Sequence, residues 1–189
     1  MKKILICLAF FLFVSSTCIA PPLTKANSDY LIKEYIYQKE QKIKQQEFKQ
    51  FLELLAYKES RGNWRVYNKY GYIGKWQMGK AALKATGFGY ITFSEFKTNP
   101  NIFPENLQEI AVCKLISLNL LRLTETILAY EGKIVGDVLI TKSGIIAAAH
   151  LGGVRGVEMY LNSDGHINKR DVFGTSILDY LKEFSMFKF

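Results

Sequence analysis

Phe48, Phe51, Leu52, Leu55 and Ala56 recur at i, i+3, i+4, i+7 and i+8, a spacing that one face of an α-helix brings together and a strand does not. Glu59 continues that face, eleven residues or about three turns beyond Phe48. Gly62 then breaks the pattern, so the carboxyl leaves the end of an apolar stripe. A carboxyl held against apolar surface is disfavoured in its charged form, which is what a general acid requires. The same position also suits a structural ion pair with Lys58 or Arg61.

Alternating apolar and polar residues are scarce in the rest of the chain, and 189 residues at 49% hydrophobic content can fill one packed body. The expected fold class is mainly α, a single domain over residues 47–185 preceded by an arm. That arm, residues 27–46, is dense in Lys, Gln and Glu around Tyr30, Tyr35, Ile36, Tyr37 and Ile43, and reads as an exposed helix or a flexible segment. Residues 63–76 lose periodicity and carry Trp64, Tyr67, Tyr70, Tyr72 and Gly74. Rings on a loop of this kind suit the flat faces of sugars, although rings also fill core gaps.

A short helix over 78–86 should stop at Gly87, followed by a Gly- and aromatic-bearing connection over 88–103. Pro104 is placed to open a long helix that buries Leu107, Ile110, Ala111, Leu115 and Leu118, and another helix is expected over 120–131. Residues 134–140 read as a short strand or extended connection. Thr141 or Ser143 can cap a helix over 144–151 that ends at Gly152-Gly153, with a further helix over 154–161 and a turn over 162–165. The last helix starts at Thr175 or Ser176, with Asp179 completing a capping box and Tyr180, Leu181 and Phe184 facing inward.

At the other end, Lys2 and Lys3 precede an apolar run over residues 4–14 and then Ser15, Ser16 and Thr17, the layout of a secretory signal peptide over residues 1–20, cut there or as late as 26. The run is short for a bilayer span. A membrane tether requires lipidation at Cys18, whose upstream Ser15-Ser16-Thr17 lacks the usual Leu and Gly/Ala. Cys7 and Cys18 lie in the leader, so Cys113 stands alone in the mature chain, without an internal disulfide partner. The formal charge of +8 becomes +6 once Lys2 and Lys3 leave, which points to an anionic partner. Export, and the lack of a dense basic cluster with a known binding layout, argue for a wall polymer over nucleic acid. No metal-ligand spacing, phosphate-cradling loop or Cys/His nucleophile signature occurs, so no cofactor and no metal are expected.

Glu59-Ser60 at a helix end, Asn63, the Gly71-to-Gly74 turn and Gln77, eighteen residues after Glu59, together resemble the opening motif of the soluble lytic transglycosylases, whose catalytic domain is lysozyme-like in the manner of goose-type lysozyme. Ala148-Ala149-His150-Leu151-Gly152 is similar to the family's second motif, Ala-Tyr-Asn-Ala-Gly, and closer to a branch with Ala-His-x-x-Gly; the segment from Thr175 to Tyr180 is similar to its closing helix. The resemblance covers residues 47–185. It implies cleavage of the MurNAc-β-1,4-GlcNAc bond of peptidoglycan with formation of a 1,6-anhydro end, Glu59 being the single catalytic acid and base. It further implies substrate contacts from Ser60, Tyr72, Trp76, Gln77, His150, Gly152 and Tyr180. The partners are then peptidoglycan glycan strands, and a secretion or conjugation machine where the enzyme opens a gap for one. A hydrolytic muramidase on the same fold, or a non-catalytic wall-binding protein, are the alternatives. Two-carboxylate hydrolysis needs a second acid at a defined separation, and nothing in the sequence places Asp171 or Glu125 across a sugar from Glu59.

Overall fold

The structure, a computed structural model, describes residues 25–189; the expected leader and Cys18 lie outside the described residues. The chain divides into two units, Met1–Lys39 and Glu40–Phe189. The division falls several residues before the expected boundary at 46/47. Helix α1 (Lys25–Ser60) supplies the described part of the first unit, where Tyr30, Leu31, Ile32, Tyr35, Ile36 and Tyr37 are exposed. The arm is thus helical.

Within the second unit α1 carries the stripe that its spacing requires: Phe51, Leu55 and Ala56 are fully buried and Phe48 packs beside them. Six further helices follow: α2 (Lys80–Ala85), α3 (Phe93–Thr98), α4 (Glu105–Arg122), α5 (Thr124–Tyr130), α6 (Lys142–Asn162) and α7 (Ile177–Glu183). Strands β1 (Ile134–Val135) and β2 (Val138–Leu139) form an antiparallel hairpin around Gly136-Asp137, both at positive φ. The fold is mainly α.

Helix α6 is the axis of this body. Ile145, Ile146 and Ala147–Ala149 are buried along its first half, and Thr141 caps it by accepting from the Gly144 amide. Gly144 lies so close to α7 that a Cβ there would sit 2.7 Å from the Leu181 carbonyl oxygen, so only glycine permits this crossing. The break expected at Gly152-Gly153 is real: Gly153 adopts φ 70, ψ 168, a region essentially reserved for glycine, and the helix resumes beyond it. Helix α7 packs on α6 with Ile177, Tyr180 and Leu181 buried, begun by the Ser176–Asp179 capping box.

Three expectations need correction. The connection over 88–103 contains α3, entered through a Thr92–Glu95 capping box, and a 3₁₀ turn at Pro100–Ile102. Helix α4 buries Gln108, Ala111, Val112, Ile116 and Asn119, leaving Ile110 exposed. That rotation follows from a polar need: Gln108 must reach inward, as its hydrogen bonds below show. The packed body also extends past residue 185, because Phe187 and Phe189 lie 5.7 and 5.1 Å, ring to ring, from Phe51. Among the described residues no helix is long and apolar enough to cross a membrane.

Candidate functional site

Glu59 occupies the last turn of α1, held there by the buried stripe below it, and its side chain is 16% exposed. This is the intermediate condition an acid needs: sheltered, yet reachable. The Tyr180 hydroxyl donates to Glu59 Oε1 at 2.7 Å, across 121 residues of chain. Tyr180 is itself buried, and that burial, reinforced by the neighbouring Glu59 carboxylate, pushes its phenol far above the ordinary tyrosine range. It therefore acts as a fixed donor. The bond locks one carboxyl oxygen, and Oε2 accepts no hydrogen bond among the described residues.

His150, from the end of the first half of α6, approaches the same oxygen, with Nε2 at 4.0 Å from Glu59 Oε1 and its side chain 6% exposed. The same Nε2 lies 2.9 Å from the Trp76 carbonyl oxygen. A carbonyl only accepts, so Nε2 carries the hydrogen. Nδ1 is buried and has no partner among the described residues. Three elements far apart in sequence, α1, α6 and α7, thus converge on one carboxyl.

The irregular segment over 61–79 forms the adjoining wall. Isolated bridges join Tyr67 to Ile73 and Ile73 to Met78. Its anchor is Gln108, 1% exposed, which accepts from the Lys75 amide at 2.6 Å and donates to the carbonyls of Trp64 and Phe103 at 2.8 and 2.6 Å. Gly74 is required against it, since a Cβ there would meet Gln108 Oε1 at 2.3 Å. Every polar atom of this buried amide is paired, so the loop is held at a fixed position relative to α4. Sequence reasoning missed Gln108; the signal was a polar residue within an otherwise apolar face of a helix.

Of the residues expected at the site, Glu59, Tyr180 and His150 come together. Gln77, at φ 44, sits in the wall with its Oε1 accepting from Asn68 Nδ2 at 2.9 Å and its Nε2 donating to Gly74 O at 2.9 Å, which leaves one amide hydrogen free to donate. The other four need qualification. The Ser60 hydroxyl donates to the Lys75 carbonyl at 2.7 Å, pinning the wall to α1, so its proton is already committed. The Trp76 ring is 3% exposed and its indole N–H donates to Leu52 O at 3.0 Å, so it belongs to the core and only its carbonyl serves the site, through His150. Gly152 makes room for Ile177, whose Cδ1 would lie 2.3 Å from a Cβ there. Tyr72 is 45% exposed and packs its ring on Gly79.

Asp171, in the segment before α7 and one of the charges that raise the Tyr180 phenol, spends Oδ1 on the amides of Phe173 and Thr175 at 2.9 and 2.8 Å, shaping the connection into that helix. Glu125 lies in the first turn of α5 and forms no hydrogen bond or ion pair with Glu59, His150 or Tyr180. A hollow of about 730 Å³ lies elsewhere, lined by α2 and α4 residues including Thr86, Ile110 and Cys113. Burial and the nearby Glu109 raise the Cys113 thiol above its ordinary range, which makes it a poor nucleophile. No group of three or more His, Cys, Asp or Glu side chains among the described residues is arranged to hold a metal ion. Compared with family models, with characterised proteins and with solved structures, the chain matches none of them.

Proposed function

We propose that the protein is a peptidoglycan lytic transglycosylase with a lysozyme-like catalytic body, exported to the wall, in which Glu59 is the one acid and base. The observation that carries this reading is the half-sheltered Glu59 carboxyl, fixed through Oε1 by Tyr180 and flanked by His150, with Oε2 left for substrate. Protonated Glu59 donates to the glycosidic oxygen as the bond from that oxygen to C1 of the muramic acid breaks. The carboxylate so formed removes the proton from the C6 hydroxyl, whose oxygen bonds to C1 and closes the 1,6-anhydro ring. Protons balance, and water is not consumed. The Tyr180 hydroxyl is a fixed donor that stays on Oε1 as charge develops on the carboxyl, while the His150 Nε2–H is held by the Trp76 carbonyl and its ring flanks the site.

One carboxylate suffices for this chemistry, whereas a hydrolase of the common type needs two. The resemblance of Glu59-Ser60, Gly71-to-Gly74, Gln77 and the His150 segment to the transglycosylase motifs supports the choice of bond. Glu59→Gln should lower release of soluble fragments from purified wall at least ~100-fold, the scale of a lost general acid. Lysis at the wild-type rate would leave a non-catalytic wall binder as the better description. Mass spectrometry of the wild-type digest should find anhydro ends; fragments with reducing ends alone would assign a muramidase.

A further inference from the structure

Between residues 57 and 77 the chain carries five cations, Lys58, Arg61, Arg65, Lys69 and Lys75, and a single acid, Glu59. Lys58 and Lys75 are neutralised by Glu183 and Glu105, at 2.8 and 2.7 Å. Arg61, Arg65 and Lys69, with Lys97 of α3, form no salt bridge among the described residues. Each instead rests over an aromatic face: Arg61 over Tyr57 at 4.5 Å, Arg65 over Trp64 at 3.8 Å, Lys69 over Tyr70 at 5.2 Å and Lys97 over Tyr67 at 5.8 Å. Tyr67 and Tyr70 remain 43% and 45% exposed despite these contacts. Tyr67 is further braced by Phe93 and Tyr70 by Phe173, at 5.7 and 5.8 Å between ring centres.

A cation stacked on a ring keeps its charge, loses part of its rotational freedom before any ligand arrives, and so costs less to order on binding. Rings held by edge contacts and still partly exposed set apolar surface beside these charges. Such a surface complements a polymer that alternates apolar ring faces with anionic groups. It is tied to the site by Asn68, whose Nδ2 donates to Gln77 and whose Oδ1 accepts from the amides of Tyr70 and Tyr72 at 2.9 and 3.3 Å. We propose that Arg65, Lys69 and Lys97, with Tyr67 and Tyr70, form a binding rim for carboxylate-bearing glycan, so that the protein selects strands with ionised carboxyls on their substituents over strands without that charge. This rests on the wall-glycan reading of Glu59 and adds the substituent that is recognised.

Single-stranded nucleic acid also pairs stacked rings with cations. The glycan is favoured because the rim belongs to the segment that carries Glu59 and Gln77. The test uses binding alone, so loss of the catalytic assignment leaves it readable. With the Glu59→Gln chain, which leaves strands intact, tryptophan fluorescence is titrated with solubilised glycan strands bearing their peptides, with the same strands stripped of carboxylate charge by carbodiimide-coupled amidation, and with an oligothymidylate. Strands with ionised carboxyls should bind about tenfold tighter than amidated ones, the scale of one charge-assisted hydrogen bond, with the preference falling as salt rises. Adding Arg65→Gln and Lys69→Gln should abolish the preference while leaving amidated-strand binding and the circular dichroism spectrum unchanged. Equal binding of the two strands, a preference that survives both substitutions, or tighter binding of the oligothymidylate would overturn the proposal.

Discussion

Tyr180 holds the site and stabilises the fold through the same atom. Its hydroxyl reaches Glu59 Oε1 at 2.7 Å from a ring packed against Phe184 at 5.3 Å, so the phenol is trapped between an apolar core and a carboxylate. Both surroundings oppose phenolate, and the folded-state value lies above the ordinary 10.0. Stability from this group is therefore complete below about pH 10 and drains away as pH rises toward the folded value, where the unfolded chain ionises and the folded chain resists. Tyr180→Phe should flatten that alkaline loss in denaturant titrations above pH 10, while lowering the proposed wall-lytic activity at neutral pH by freeing the Glu59 carboxyl. An alkaline slope identical in the two proteins would show that the hydroxyl is not the titrating group.

At the scale of elements, local capping chemistry decides where helices begin. Ser176 accepts from the Asp179 amide and Asp179 returns a bond to the Ser176 amide, which fixes the entry into α7 and hence the position of Tyr180. Those bonds, with the Ser176 hydroxyl at 2.7 Å, hold the Asp179 carboxyl below its ordinary range. Its contribution is present above about pH 4 and is lost as pH falls through the lower, folded-state value. Ser176→Ala should cost about 1 kcal/mol in urea unfolding at pH 7, the usual worth of such a cap. The cost should shrink in acid; a cost unchanged at pH 2.5 would show that Asp179 adds nothing to the cap.

This box was legible in the sequence because every partner lies within four residues. The equivalent Thr92–Glu95 box is equally local, but the Gly and aromatic residues around it carry the composition of a loop and hide the six residues of α3. Helix α4 went wrong for a different reason. It is apolar on so many sides that periodicity did not choose between the Ile110 face and the Gln108 face; the carbonyls of Trp64 and Phe103 chose. His150 and Tyr180 are expected beside Glu59 only through the resemblance of their segments to family motifs, and the burial of Trp76 is not foreseen: an indole filling the core and one facing a sugar look alike in sequence.

At the scale of the whole molecule, the buried hydrophobic side chains among the described residues all fall within residues 40–189. Among the described side chains of α1 the first buried one is Phe51; residues 29–40 are exposed, so this stretch removes little apolar surface from water. The opposite end behaves otherwise. Phe187 and Phe189 close over Phe51, Phe189 meets Phe48 at 5.1 Å, Lys142 donates to the Phe189 carbonyl at 2.8 Å, and Ser143 donates to the Phe187 carbonyl at 2.9 Å. Ser143 is buried, so losing that acceptor strands a hydroxyl in the core. Three aromatic contacts at about 1 kcal/mol each, with the apolar area they cover, outweigh what the described part of the arm supplies. A chain beginning at Glu40 should melt within about 2 °C of the full protein, and one ending at Met186 should melt at least ~5 °C lower. Both are read by scanning calorimetry at equal concentration. The reverse order, with the arm mattering more than the last three residues, would mean that the exposed tyrosines and isoleucines of α1 are covered in solution by something that protects the fold.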